Sequence, residues 1–165
     1  MIKKSPTKQS TAKKAPTKKK PAPKKTAPRK AKPEEPSITI LQTTKCQTVS
    51  GKSTLTFHLG TDDKDNIFLR VHSNTGGGHF SNEWVPLDII TAALDKVPAD
   101  QPITSIHLIP LFQGKSVNTP GYLVAVLLKE GLLEPFEGKK RQYSYTGTDA
   151  FLAKIEKLKA RKKAK

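Results

Sequence analysis

The lysines of the first 33 residues are the side chains whose spacing most clearly indicates chemistry. Residues 1–33 contain thirteen Lys or Arg and no Asp or Glu. Such a dense row of cations binds polyanions, because each ammonium group next to a phosphate releases a condensed counterion. The arm residues that we expect to contact nucleic acid are Lys13, Lys14, Lys18, Lys19, Lys20, Lys24, Lys25, Arg29 and Lys30. We therefore expect a nucleic-acid partner, with DNA favoured over RNA.

Residues 1–36, which we call the basic arm, have a composition typical of a disordered segment. After Met1, Ile2 is the only apolar side chain larger than Ala in residues 1–33, so the arm cannot bury enough surface to offset the entropy of ordering it. Six prolines in the same stretch prevent a continuous helix and favour extended segments. A solubilising tail is the alternative interpretation, although clustered charge of one sign favours a nucleic-acid arm.

The run "KKAPTKKKPAPKKTAPRKAKP" at residues 13–33 resembles the tails of linker histones and of bacterial linker-histone-like proteins. In those families the tail binds DNA without sequence preference. The resemblance covers about a fifth of the chain and is one of composition. It implies a nucleoid-associated or regulatory DNA-binding role.

Two short motifs suggest phosphate or calcium chemistry, but their surroundings argue against both. The run "SGKST" at residues 50–54 lacks the earlier glycine of a Walker A loop, because Cys46 occupies that position, and an alternating strand pattern follows. Residues 62–65 begin like a calcium loop, yet Ile67 and Phe68 stand where glycine and oxygen ligands are needed. We therefore expect no NTPase site at the first motif and a polar hairpin turn at the second.

The remaining candidate catalytic and metal-binding residues form no recognisable signature. The four histidines, His58, His72, His79 and His107, are scattered, and the hairpin described below would separate His58 from His72 by about 13 Å. No nucleophile elbow is present. The single Cys46 excludes an internal disulfide and fits a reducing compartment. We expect a protein that is not an enzyme and has no metal and no cofactor.

Charge divides the chain into regions. Residues 34–150 carry ten Lys or Arg against thirteen Asp or Glu, whereas residues 151–165 carry seven against one. We expect the basic arm at 1–36, a linker at 37–48, a folded domain at 49–147 and a basic helix at 148–165. The chain shows neither a secretory signal nor an apolar run of membrane-spanning length, so we expect it in the cytoplasm with the nucleoid, or in the nucleus of a eukaryote.

Alternating apolar residues predict an antiparallel hairpin in the first half of the domain. The expected inner pairs are Leu59 with Ile67, Phe57 with Leu69 and Leu55 with Val71, and the expected outer pairs are Thr56 with Arg70 and His58 with Phe68. A third strand is expected at residues 79–85. Residues 38–41 could add a short edge strand.

Helical spacing dominates the second half. Pro86 is expected to open a helix containing Leu87, Ile90, Leu94 and Val97, and residues 103–112 form a short apolar helix broken near Pro110. Thr119 caps the next helix and Gly131 ends it. A hairpin around residues 137–140 follows, and Thr148 caps the last helix. The fold class is α+β, with a small antiparallel sheet.

The order helix, loop, helix and hairpin with a basic tip over residues 103–147 resembles the winged helix-turn-helix family. In that family the second helix enters the major groove and the wing lies on the backbone or in the minor groove. The resemblance implies nucleic-acid contacts from Lys115, Ser116, Asn118, Thr119, Tyr122 and Lys129 on or near the helix, and from Lys139, Lys140 and Arg141 on the wing. The basic end would add Lys159, Arg161, Lys162 and Lys163.

The helix at 119–130, the glycine-rich segment and Trp84 each allow two interpretations. The helix at 119–130 is mostly aliphatic, which suits a buried helix better than one that reads bases. Residues 74–80, "NTGGGHF", are either a flexible connection or a phosphate-binding nest. Trp84 is either a core residue or a platform for an unpaired base. Two alternative functions remain. One is a protein–protein interaction module, with a second copy in a homodimer or another protein as its partner, that is tethered to nucleic acid by its basic arm, and the other is an RNA-binding protein.

Overall fold

The computed structural model describes residues 37–114 and 116–164 and confirms a mixed α+β fold. The predicted contacts in the basic arm, together with Lys115 and the side chain of Lys163, lie outside the described residues. The elements are β1 (Thr39–Gln47), β2 (Thr54–Thr61), β3 (Ile67–Asn74), β4 (Val85–Pro86), α1 (Leu87–Leu94), a 3₁₀ helix (Ser105–Leu111), α2 (Thr119–Glu130), β5 (Leu133–Pro135), β6 (Tyr143–Tyr145) and α3 (Asp149–Lys163).

Strands β1 to β4 form one antiparallel sheet in chain order. The prediction of a linker at 37–48 is wrong, because residues 39–47 form the whole of β1. Its positions on the core side are Gln42, Thr44 and Cys46, which pair with Leu59, Phe57 and Leu55. Since two of these three side chains are polar, β1 lacks the apolar alternation that identifies a half-buried strand.

The β2–β3 hairpin forms where it was predicted but in a different register. Leu59 pairs with Leu69, and Phe57 pairs with Val71, two residues away from the expected partners. The shift arises in the turn, where the Asp62 carboxylate accepts hydrogen bonds from the backbone N–H groups of Lys64 and Asn66, both at 2.9 Å. This compact turn lets pairing continue to Thr61 and Ile67.

The strand predicted at residues 79–85 is reduced to the two residues of β4. Residues 75–84 are irregular and are held by tertiary hydrogen bonds instead of a sheet ladder. Pro86 is the N-cap of α1, not its first residue, and the helix ends at Leu94, before Val97. Extended backbone at Pro86, with ψ of 140°, allows it to end β4 and start α1 directly.

The helices cover one face of the sheet, which we call the inner face. Its core contains Phe57, Leu59, Leu69, Ile90 and Leu127, all fully buried. Helix α2 belongs to this core and ends at Gly131, whose φ of 75° is the left-handed conformation that glycine favours. None of the described helices combines the length and apolar character needed to cross a membrane.

Strands β5 and β6 form the predicted second hairpin, with Leu133 opposite Tyr145. The 3₁₀ helix replaces the predicted short helix at 103–112, and an isolated bridge joins Ile103 to Tyr143. Helix α3 begins after Thr148 as expected, although the Thr148 side chain makes no capping hydrogen bond. Phe151 and Ile155 anchor this helix in the core.

Candidate nucleic-acid interface

The leading end of α2 is committed to internal contacts. Thr119 is 1% exposed, and its hydroxyl oxygen accepts a hydrogen bond of 2.8 Å from the backbone N–H of Ser81. Ser116 and Asn118 both donate from their side chains to the carbonyl of His79, at 2.7 and 3.1 Å. These residues hold the 75–84 segment in place. The predicted contact of Thr119 with nucleic acid is therefore wrong, because its side chain is buried.

The other two predicted contacts on α2, Tyr122 and Lys129, differ in their surroundings. The Tyr122 hydroxyl accepts a hydrogen bond of 2.9 Å from the Asn74 amide and packs edge-on against Phe80. Lys129, at the other end of the helix, is exposed. Val124 and Ala125 are 1% and 4% exposed, so α2 is a core helix and offers no contiguous apolar patch to a partner. A helix buried to this extent cannot lie in a major groove in the way that a recognition helix does.

The tip of the β5–β6 hairpin presents three adjacent cations, Lys139, Lys140 and Arg141, all exposed. We call these three residues the hairpin tip. Phe136 closes the loop, since its N–H donates to the Gln142 carbonyl at 2.9 Å and its own carbonyl accepts from the N–H of Lys139 at 3.2 Å. The tip therefore has a defined backbone that directs its charges to solvent.

Helix α3 uses part of its charge internally. The Lys159 ammonium lies 3.2 Å from Asp65 and 3.1 Å from Glu156. Burial alone would lower the pKa of Lys159, but the two carboxylates outweigh it and raise the pKa. Lys162 donates to the backbone carbonyl of Ile40. Arg161 is exposed, so among the predicted contacts Lys159 and Lys162 are partly engaged and Arg161 is available.

Three surface cavities differ in the charge of their linings. One is lined by Lys45 and Lys129, and a second, which shares Thr48 and Val49 with the first, is lined by Arg141. Neither lining contains an acid. A third cavity is lined by Asp65, Asp88 and Asp95 and contains no Lys or Arg. The first two linings therefore carry positive charge, whereas the third carries three carboxylates, of which Asp65 is paired with Lys159.

The sheet face opposite the helices, which we call the outer face, carries a group that sequence reasoning missed. The Arg70 guanidinium lies 4.4 Å from the centre of the Trp84 ring, and Arg70 Nε donates to His58 Nδ1 at 3.2 Å. The His58 and His72 rings stack with their centres 4.4 Å apart and an interplanar angle of 21°. We call these four residues the His–Arg–Trp cluster. Trp84 is half-buried within it and is absent from the helix-covered core.

The cluster forms because β3 contains a bulge. Pairing passes from Thr56–Ser73 to Phe57–Val71, which leaves His72 as the extra residue beside His58. The predicted separation of about 13 Å assumed a regular ladder and is wrong. His58 is 6% exposed, so it is a buried residue of the outer face. Its burial, together with His72 and Arg70, lowers its pKa, so the neutral ring is favoured.

The other motifs behave as turns. Residues 50–53 form a turn before β2, in which the Thr48 carbonyl accepts from the N–H of Gly51 at 2.8 Å. The Asp62 turn is the polar hairpin turn that the sequence predicted. In the glycine-rich segment, Gly77 and Gly78 have φ of 69° and 87°. Across residues 37–114 and 116–164, no group of three or more His, Cys, Asp or Glu side chains could hold a metal ion.

Comparison with known proteins adds no family to this geometry. No protein-family model matches the chain, and neither does any curated protein or solved structure. The likenesses to linker-histone tails and to winged-helix domains therefore stay predictions from sequence.

Proposed function

We propose that this protein is a non-enzymatic DNA-binding protein that acts mainly on the phosphate backbone. The observation that carries the proposal is the basic arm, with thirteen cations and no acid in residues 1–33. Cations at this density gain affinity from counterion release whatever the base sequence. A nucleoid-associated protein or an accessory regulator of transcription would use this mode of binding.

The folded domain supports the proposal through its exposed cations. The hairpin tip offers three of them, and Lys45, Lys129 and Arg161 add to the exposed set. The cavities lined by Lys45, Lys129 and Arg141 contain no acid, unlike the cavity lined by Asp65, Asp88 and Asp95. The buried state of α2 argues against base reading from that helix. We therefore expect little preference for DNA sequence.

A charge-matched pair of variants tests the contribution of the hairpin tip. Replacing Lys139, Lys140 and Arg141 by Ser should weaken binding to two unrelated duplexes equally, and should reduce the slope of log affinity against log salt by about 2 to 3. The control replaces the exposed residues Lys64, Lys96 and Lys157 by Ser, which removes the same net charge elsewhere. Equal losses from both variants would show that only net charge matters. Loss on one duplex alone would indicate sequence reading.

A second candidate function, a protein–protein interaction module held near nucleic acid by the arm, has one observation in its favour. Ile89, Ile106 and Ile109 are 48%, 69% and 53% exposed. Ile106 and Ile109 are three residues apart on the 3₁₀ helix, so they project from the same side. If this module is the function, Ile106→Glu with Ile109→Glu should leave folding and DNA affinity intact and abolish self-association measured by sedimentation.

A further inference from the structure

The outer face of the sheet differs from a merely solvated surface in its composition. The four strands of the sheet contain no Asp or Glu. The exposed Lys45 lies on this face, since it pairs with Thr56, and Arg70 pairs with His58 two residues along β2. An acid-free sheet face that carries cations and aromatic rings is electrostatically complementary to a polyanion with flat bases.

Two contacts fix the position of the Arg70 side chain and leave most of its N–H donors unused. Its guanidinium stacks on Trp84, and its Nε donates to His58. No described carboxylate forms an ion pair with it. A guanidinium has five N–H donors, and only the one on Nε is used in these contacts. Arg70 can therefore offer a flat surface to a base and donors to a phosphate.

His72 supplies a second flat surface. It is exposed, whereas the ring beneath it, His58, is buried. The outer side of the His72 ring is thus open while its inner side is supported. An aromatic ring fixed from below in this way suits base stacking, because little conformational entropy is lost on binding.

Gly60 and Ile38 fix the position of Trp84 at the edge of this surface. A Cβ at Gly60 would lie 3.1 Å from Trp84 Cη2 and 2.5 Å from Ile38 Cγ2, so glycine lets both side chains lie directly on β2. Lys32, the last cation of the basic arm, precedes Ile38 by six residues.

We propose that the outer face of the sheet binds single-stranded DNA, with bases stacked on His72 and on the Arg70–Trp84 pair and phosphates beside Arg70 and Lys45. The strand must be unpaired, because stacked neighbours in a duplex cover both faces of each base. This inference rests on the proposed DNA-binding function and specifies the form of DNA that the folded domain takes. The arm supplies affinity for any DNA, and the outer face selects unpaired regions.

Trp84 is the only tryptophan of the chain, so its fluorescence reports on this site alone. The experiment titrates the full-length protein with an oligothymidylate of about 12 nucleotides, within the usual range of single-strand site sizes. The oligothymidylate and a duplex of equal length are titrated at the same series of salt concentrations, because salt weakens phosphate contacts to both. As salt rises, we expect the oligothymidylate to keep binding and quenching Trp84 at concentrations where the duplex no longer does.

Two variants with a matched control locate the binding. His72→Ala and Arg70→Gln should each weaken binding of the oligothymidylate by roughly 5- to 150-fold, as expected for loss of one stacking partner. Lys96→Gln removes one exposed charge from the segment after α1, away from the outer face, and should leave the affinity within about twofold once salt screens net charge. Circular dichroism shows whether each variant folds. If Arg70→Gln does not fold, His72→Ala still tests the site, because His72 is exposed and its replacement should not affect folding.

Several outcomes would overturn the inference. Binding of the oligothymidylate without any change in Trp84 fluorescence, and with equal affinity for His72→Ala and Lys96→Gln, would assign single-strand binding to the arm. Equal quenching by the duplex would contradict the claim that the outer face prefers unpaired DNA. Equal affinity for oligouridylate would contradict the claim that it prefers DNA to RNA. Absence of binding to any nucleic acid at low salt would instead contradict the proposed function itself.

Discussion

The two faces of the four-stranded sheet have opposite characters. The inner face is covered by helices, and its central side chains, including Phe57 and Leu69, are fully buried. The outer face carries an arginine stacked on a tryptophan, with two stacked histidines beside it. The inner face supplies most of the apolar burial that stabilises the fold. We propose that the cations and aromatic rings of the outer face serve nucleic-acid binding.

Removal of inner-face packing should have the largest effect. Leu127 on α2 is fully buried, so Leu127→Ala should lower the free energy of unfolding by about 2–5 kcal/mol, through lost transfer energy and a residual cavity. Thr43→Ala, at an exposed position on the outer face, is the control and should stay within about 0.5 kcal/mol. Urea unfolding of both variants measures the difference. Equal losses would contradict the division between the two faces.

Removal of the ion pair between Glu130 on α2 and Lys154 on α3 should have the next largest effect. The Glu130 side chain is 1% exposed and lies 2.5 Å from the ammonium of Lys154, whose side chain is 39% exposed. Lys154→Met leaves a buried carboxylate without its partner and should cost about 1–3 kcal/mol. Adding Glu130→Gln should recover part of that loss. Lys157→Met, at an exposed position on the same helix, is the control, and an equal cost there would show that the ion pair contributes nothing.

Lowering the pH should destabilise the domain slightly through His58 on the outer face, and this is the smallest of the three effects on stability. The pKa of His58 is lowered by burial, by His72 and by Arg70, so the unfolded chain binds this proton more readily than the folded one. Stability from this group is complete above the unfolded pKa of about 6.5 and declines as the pH falls below it. Urea midpoints between about pH 7.5 and about pH 5.5 should fall less for His58→Gln than for the parent protein. Parallel profiles would show that His58 does not titrate as described.

The inner face was far easier to predict than the outer one. Alternating Leu55, Phe57 and Leu59 identified β2 and its buried side, and helical spacing identified α2 with Gly131 at its end. These patterns are local and repeat along the sequence. They followed from hydrophobic burial, which acts on each residue by type.

The features that were mispredicted depend on contacts between distant segments. The β3 bulge that brings His72 onto His58 leaves no signal in apolar periodicity. Only a short edge strand at residues 38–41 was expected in place of β1, because Gln42 and Thr44 occupy its core side. Thr119 was expected on a nucleic-acid surface, but its hydroxyl bonds to Ser81, which is distant in sequence. The five-residue Asp62–Asn66 turn was the one local signal that could have corrected the register.

Duplex binding by the full chain and by a chain lacking residues 1–33, measured over a range of salt concentrations, shows whether the basic arm binds DNA. We predict that truncation weakens duplex binding severely and flattens the slope of log affinity against log salt, by about 0.9 for each phosphate that the arm no longer neutralises. The free energy of unfolding of the remaining chain should be little changed, and its measurement controls for misfolding. An unchanged slope after truncation would contradict the claim that the basic arm binds DNA by neutralising phosphates.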